Sequence, residues 1–139
     1  TNGIPLPAGA VCLSPTTDLA VVDESFYENA ETDPVLANAG LFWWHLAYLA
    51  GADPSDPLVS PIRADLKGLP SLLIHVSTSE MLYSASKHFA ERAKAAGVTV
   101  ILETWNDMPH VWHACGLHRL TESKEAIAKI GDFVKRLFA

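Results

Sequence analysis

The stretch "SLLIHVS" (Ser71–Ser77) decides the fold, because it is a short and continuous apolar run. Runs of about four to eight apolar residues without polar alternation are typical of strands that are buried on both faces. Two other runs have the same character, "AGAVCLSP" (Ala8–Pro15) and "VTVILETW" (Val98–Trp105). The sequence therefore predicts three buried strands.

Helical spacing of apolar residues marks three other segments, which are Ala37–Gly51, Ser84–Gly97 and Thr121–Phe138. In the first of them the apolar stripe is predicted at Leu41, Trp44, Tyr48 and Leu49. Buried strands that alternate with helices predict an α/β fold, with a parallel sheet covered by helices on both faces. Three strands make a narrow sheet, so we expect further strands from sequence that lies outside this chain.

The composition narrows the classes of function. The chain has 139 residues, 49% of them hydrophobic, and a net charge of −6, which suits one globular domain. It has no block of Lys and Arg for nucleic acid and no apolar run of about 18 residues for a membrane span. No secretion signal is visible, so we expect a cytoplasmic protein. Cys12 and Cys115 are too few for a disulfide scaffold, and no ligand spacing predicts a metal site.

Two loops carry the residues that could take part in catalysis. Glu80 follows the Ser71–Ser77 strand in "STSEMLYS", and His110 follows the Val98–Trp105 strand in "NDMPHVWH". Ligands of parallel α/β sheets bind beyond the carboxyl ends of the strands, where both loops would emerge. A carboxylate that orients an imidazole is the base half of a nucleophilic triad. The alternative is that His110 is an ordinary surface histidine, since most histidines in loops are not catalytic.

Three motifs at matching places resemble the C-terminal half of α/β-hydrolases of the hormone-sensitive-lipase-like esterase family. They are Ser-Pro-x-x-Asp-Leu after the first strand, Leu-Pro before the second and Met-Pro-His after the third, in "PLPAGAVCLSPTTDL", "DPLVSPIRADLKGLPSLLIHVSTSEML" and "AERAKAAGVTVILETWNDMPHVWH". The resemblance runs over nearly the whole chain. It implies an α/β-hydrolase fold, with residues 1–139 as the C-terminal portion of a single catalytic domain.

The resemblance also implies roles for individual residues. His110 matches the triad histidine of the family, and Glu80 matches its acid, which is more often Asp before Pro-Leu. Asp107 stands where the family usually has Gly, and it is the alternative acid. We prefer Glu80, because a residue three positions before His110 in the same turn rarely reaches the far ring nitrogen. His113 and His118 are weaker candidates for the base.

The nucleophile of the family lies on a Gly-x-Ser-x-Gly elbow, and no serine of this chain has that setting. The resemblance therefore implies that the nucleophile and the oxyanion hole belong to an N-terminal segment, and that this chain alone is inactive. It implies a serine esterase for short- to medium-chain esters that needs no cofactor or metal. An amidase or peptidase of the same superfamily and a non-catalytic binding domain stay open as alternatives.

Four residues near the two loops are candidates for an apolar substrate pocket: Phe26, Met81, Val111 and Trp112. An apolar wall would bury the ester and exclude water. Asp18 is expected to bond the backbone of its own loop, and His75, in the middle of a strand, to be a satisfied core histidine. The third strand is expected at an edge of the sheet, where a second copy of the chain can pair to form a homodimer.

Overall fold

A computed structural model of the chain describes residues 5–114 and 119–139. Within these ranges the elements are β1 (Gly9–Leu13), α1 (Glu24–Glu28), α2 (Leu36–Ala39), α3 (Leu41–Leu49), a 3-10 turn (Pro61–Arg63), β2 (Ser71–Ser77), α4 (Tyr83–Ala95), β3 (Val100–Trp105) and α5 (Thr121–Leu137). Cys115 and His118, named above, lie outside the described residues. The predicted alternation of strands and helices is confirmed. The second strand is buried as predicted, whereas β1 and β3 are only partly buried in the described chain.

The three strands form one parallel sheet in the order β1-β2-β3. The register pairs Leu13 with His75 and Ser77 with Trp105, so the three carboxyl ends lie at the same rim. The central strand β2 is the most deeply buried, as its continuous apolar sequence predicts. In the described sheet β3 is an edge strand, as expected, and β1 is the other edge.

Helix α4 packs against β2 and β3 through a cluster that includes Leu72, Ile74 and Phe89. Helix α5 contacts β1 and β2. A Cβ atom on Gly9 would lie 2.5 Å from Leu137 Cδ1, so glycine at this position lets the end of α5 approach β1 closely. The two long helices thus hold the strands whose ends carry the candidate site.

The single helix predicted over Ala37–Gly51 is wrong, because it is divided at Gly40 into α2 and α3. Gly40 has φ of +65°, a left-handed conformation that ends one helix and lets the next begin in another direction. The predicted apolar stripe is confirmed only at Leu41. Trp44 and Tyr48 are 67% and 68% exposed, and Leu41 is the buried residue of α3.

Candidate active site

The two loops that follow β2 and β3 meet at the carboxyl rim of the sheet. Glu80 lies in a turn closed by a hydrogen bond from its backbone N–H to Ser77 O, 3.2 Å. That turn leads into α4, whose start fixes the direction of the loop. His110 lies five residues beyond the end of β3 at Trp105, and Trp105 is the register partner of Ser77. Adjacent parallel strands therefore deliver both residues to one place.

A hydrogen bond joins Glu80 and His110, with Nδ1 of His110 2.7 Å from Oε1 of Glu80. Because an ionised carboxylate can only accept, Nδ1 carries the hydrogen and donates it. The Glu80 side chain is 1% exposed, and the His110 side chain is 24% exposed. Nε2 of His110 is consequently the ring nitrogen that is left to exchange a proton with another group.

The second oxygen of Glu80 is also held by donors. Oε2 accepts a hydrogen bond from the backbone N–H of Ser77 at 2.7 Å and one from the hydroxyl of Ser14 at 2.9 Å. Neutral donors of this kind offset the cost of burying a charged carboxylate. The sequence did not predict a role for either serine, although Ser14 opens the Ser-Pro-x-x-Asp-Leu motif that supports the family resemblance.

The turn that carries His110 is fixed by Ser77 and Ser14 as well. The hydroxyl of Ser77 accepts a hydrogen bond from the backbone N–H of Met108 at 3.0 Å. The hydroxyl of Ser14 accepts one from the N–H of Val111 at 3.3 Å. Asp107 and Val111 both have positive φ, +57° and +49°, a region that non-glycine residues rarely occupy. The turn is therefore tight, and its shape depends on contacts from outside it.

Asp107, the alternative acid, takes part in a different contact. Its Oδ1 accepts a weak hydrogen bond from the hydroxyl of Ser79 at 3.4 Å. The contact of His110 with a carboxylate is the one to Glu80. The geometry therefore favours Glu80 over Asp107 as the partner of His110, and its catalytic role stays a prediction.

The loop that bears Glu80 is anchored to the segment around α1 by amide and carboxylate side chains. Nδ2 of Asn29 donates to Thr78 O and Glu80 O at 2.9 and 2.8 Å. Oδ2 of buried Asp33 accepts from the N–H of Met81 at 3.0 Å. The irregular segment after β1 therefore holds the loop that bears Glu80. Its polar sequence did not predict this role.

A hydrogen-bonded pair of histidines lies next to the Glu80–His110 pair. Nδ1 of His75 is 2.9 Å from Nε2 of His113, and both side chains are buried. The pKa of His113 is lowered to about 4, chiefly by burial and then by the His75 ring, while the Glu80 carboxylate opposes the shift. Burial also lowers the pKa of His75. Within the described residues Nε2 of His75 has no hydrogen-bond partner, so the expectation of a fully satisfied core histidine is only half fulfilled.

The four predicted pocket residues lie in three different places. Phe26 and Met81 line one narrow cleft with a volume of about 30 Å³, which is room for about one water molecule. Val111 is partly buried in the His110 turn. Trp112 is 0% exposed and stacks on His75, with ring centroids 6.3 Å apart. Trp112 has no surface to offer a ligand, so its prediction as a pocket wall is corrected to a packing role beneath the turn.

A larger apolar cavity, about 350 Å³, lies between α3 and residues 58–61. Leu19 and His45 line both this cavity and the narrow cleft of Phe26 and Met81, so the two spaces adjoin. The sequence did not point to this cavity, because the residues that line it come from three separate segments.

Among the residues that the structure describes, one group has the composition of a metal site. Ligand atoms of Asp23, Glu24 and His88 lie within 4.8 Å of one another. His88 Nδ1 is already bonded to Asp23 Oδ1 at 3.0 Å, and Glu24 is exposed. A partly buried hydrogen bond between His88 and Asp23 accounts for this group, and the expectation that no metal is needed stays a prediction. No helix in the described ranges has the length and apolarity to cross a membrane.

A parallel sheet covered by helices, with an acid and a histidine after adjacent strands, is the arrangement found in α/β-hydrolases. Comparison with known proteins agrees. Residues 1–114 match the family described as having the alpha/beta hydrolase fold. The chain belongs to that family, and its resemblance to hormone-sensitive-lipase-like esterases is confirmed by the relatives described next.

An acetyl-hydrolase of Streptomyces hygroscopicus is 42% identical over 134 residues, which are 96% of this chain and 44% of that protein. The structure of an esterase from the bacterial hormone-sensitive lipase family is 45% identical with a TM-score of 0.92, covering 99% of this chain and 46% of that one. The structure of EstE5 soaked with p-nitrophenyl butyrate is 43% identical with a TM-score of 0.90, covering 98% and 45%. The chain thus spans about half the length of these relatives.

Proposed function

We propose that this chain supplies the acid and the base of a serine esterase that hydrolyses short- to medium-chain carboxylic esters. The observation that carries the proposal is the 2.7 Å contact between Nδ1 of His110 and Oε1 of a buried glutamate. Such a contact fixes the tautomer in which Nε2 is free to accept a proton. The family to which the chain belongs supports the same chemistry.

In the proposed reaction, Nε2 of His110 removes the hydroxyl proton of a serine as that serine attacks the ester carbonyl. Glu80 stays ionised and stabilises the imidazolium that forms. His110 then returns the proton to the oxygen of the leaving alcohol, and water repeats the sequence to release the acid. Both carboxylate oxygens of Glu80 are already bonded in the ground state, so little reorganisation is needed when charge develops.

The serine and the oxyanion hole are proposed to belong to an N-terminal half of about equal size. The relatives are about twice as long as this chain, which supports the proposal. The same half would complete the sheet and cover the cavity beside α3. In this view residues 1–139 are the C-terminal portion of one catalytic domain, and Phe26, Met81 and Val111 belong to the wall of its pocket.

Two relatives support the proposed substrate class by their descriptions. One is named an acetyl-hydrolase, and EstE5 was soaked with p-nitrophenyl butyrate. Both descriptions refer to small acyl groups.

The test is a fusion in which this chain replaces the matching stretch of the Streptomyces hygroscopicus acetyl-hydrolase. We expect the fusion to hydrolyse p-nitrophenyl acetate and butyrate, and His110→Ala to lower kcat by at least about 10³-fold. His88→Ala is the matched control, because His88 also bonds a carboxylate but lies on α4. Equal losses from both variants, or full activity of His110→Ala, would overturn the proposal. A panel of esters and amides separates esterase from amidase.

Expectations about partners and location remain proposals. A homodimer that pairs at β3 is expected, since β3 is an edge of the described sheet and carries unpaired backbone groups there. Sedimentation of the fusion measures the oligomeric state, and a monomer at all concentrations would end this part of the proposal. A cytoplasmic location and the absence of a nucleic-acid partner rest on composition alone.

A further inference from the structure

Ser14 lies at the end of β1, far along the chain from both loops, yet its hydroxyl touches both. The hydroxyl donates to Oε2 of Glu80 at 2.9 Å and accepts from the backbone N–H of Val111, the neighbour of His110, at 3.3 Å. Ser14 is 3% exposed, so water does not compete for these contacts. One oxygen atom thus connects the acid to the turn that carries the base.

The backbone of Ser14 is held in an unfavourable conformation. Its φ is +47°, which is uncommon for a residue other than glycine. The N–H of Ser14 donates to His75 O at 2.8 Å and thereby extends the β1–β2 ladder by one residue. A glycine would adopt this backbone without strain but would have no hydroxyl. The residue therefore combines a costly backbone with a side chain that has two polar partners.

We propose that Ser14 is a positioning residue of the Glu80–His110 pair: its hydroxyl fixes the carboxylate so that Oε1 faces Nδ1. This inference rests on the proposed function. Glutamate has one more rotatable bond than aspartate, so its carboxylate needs more restraint to keep a single orientation. The N–H of Ser77 restrains Oε2 from one side, and the hydroxyl of Ser14 restrains it from another. Without Ser14, one donor remains on Oε2 and the carboxylate can turn away from the imidazole.

The experiment compares Ser14→Ala and Ser14→Gly in the fusion described above. Both variants lack the hydroxyl, but glycine also removes the backbone strain, so the pair separates the two roles of the residue. Each variant is measured by kcat and KM with p-nitrophenyl butyrate. It is also measured by the NMR resonance of the proton on Nδ1 of His110, which lies far downfield when an imidazole donates to a buried carboxylate.

The matched control is Ser86→Ala. Ser86 is a fully buried serine on α4 whose hydroxyl donates to Pro15 O at 3.3 Å, next to Ser14 but without contact to Glu80. We expect Ser14→Ala and Ser14→Gly each to lower kcat by about tenfold to a hundredfold with KM nearly unchanged. The Nδ1 proton resonance is expected to move upfield or broaden in both. Ser86→Ala is expected to change neither measurement.

Three results would overturn the inference. One is wild-type kcat with an unchanged resonance in both Ser14 variants. Another is recovery of kcat in Ser14→Gly, which would assign the effect to backbone strain. The third is an equal loss in Ser86→Ala. If the wild-type fusion hydrolyses no ester, the proposed function fails, while the Nδ1 resonance in the same variants still decides whether Ser14 orients Glu80.

Discussion

Two histidines three residues apart on one turn have opposite surroundings. His110 donates to a carboxylate whose oxygens are all bonded, and its side chain is 24% exposed. His113 points inward, bonds another imidazole and packs against Trp112 at a centroid distance of 4.0 Å. The first is arranged to exchange protons, and the second is arranged to stay neutral.

The difference shows that burial and the hydrogen-bond partner together determine what a histidine does. A carboxylate stabilises the imidazolium, whereas a second imidazole in a buried place disfavours it. The pKa of His113 is lowered to about 4 first by burial and second by the neighbouring His75 ring. The Nδ1–H of His110 is therefore held by Glu80, while the ring of His113 remains a packing element of the same turn.

Among these substitutions, Glu80→Gln should have the largest effect on catalysis. The amide oxygen of Gln can accept from Ser14 and Ser77, which turns its NH2 group towards Nδ1 of His110. Nδ1 must then accept, Nε2 keeps its hydrogen, and the base has the wrong tautomer. We expect kcat of the fusion to fall by about 10⁴-fold. Glu80→Asp, the acid that is more usual in the family, should lose much less; a fall as large as that of Gln would contradict this account.

His113→Ala should act on stability and leave catalysis nearly intact. The substitution leaves Nδ1 of His75 without a partner and opens a cavity beside Trp112. We expect the free energy of unfolding to fall by about 1–3 kcal/mol, as measured by urea denaturation. The kcat of folded protein should change by less than about tenfold. A loss of kcat comparable to that of His110→Ala would mean that the two histidines do not have separate roles.

The pH dependence of stability should further distinguish the His75–His113 pair from the Glu80–His110 pair. The pKa of His113 is about 4 in the folded chain, below the value of about 6.5 in an unfolded one. The unfolded state therefore binds more protons between these pH values. Stability is fully present above pH of about 6.5 and declines as the pH falls towards 4, by up to about 1.4 kcal/mol per unit.

His113→Gln keeps an amide near the position of Nε2 and removes the titration, so it is the control for this pH dependence. Its slope of unfolding free energy against pH should be smaller than that of the wild type, though not zero, because burial also lowers the pKa of His75. An identical slope for the two proteins would show that His113 does not titrate as proposed.

Asp107→Asn should have the smallest effect. Asparagine adopts positive φ as readily as aspartate, so the turn keeps its shape at +57°. If Glu80 is the acid, loss of the Asp107 charge should change kcat of the fusion by less than about threefold. A loss as large as that of Glu80→Gln would transfer the role of the acid to Asp107.

The strands were predictable because each is a continuous apolar run in the sequence, although only β2 is buried along most of its length in the described chain. The predicted ranges Ala8–Pro15 and Val98–Trp105 contain β1 and β3 with one or two extra residues at their ends. The break at Gly40 was not predicted, because a helix that is apolar on all sides gives no periodic sign of its direction or its end. The aromatic residues of α3 appeared to be core residues for the same reason.

The candidate site was predictable only where it depends on the strand ends. Two parallel neighbours deliver Glu80 and His110 to one rim, and that follows from topology alone. The contacts of Glu80 with Ser14 and Asn29 join residues 66 and 51 positions apart and follow no sequence period. Asp18 was the exception, because its bonds to the N–H groups of Ala20 and Val21 are local, and that prediction is confirmed.

Ser77 has a consequence for how this chain can change over evolution. Its backbone amide binds the carboxylate of one loop, and its hydroxyl binds the backbone of the other. Insertions or deletions in either loop must preserve the distance to this one residue, so the two loops cannot drift in length independently. Variation among descendants of this sequence should therefore accumulate in the segments around the cavity beside α3, which can reshape substrate preference without disturbing the pair of groups at the rim.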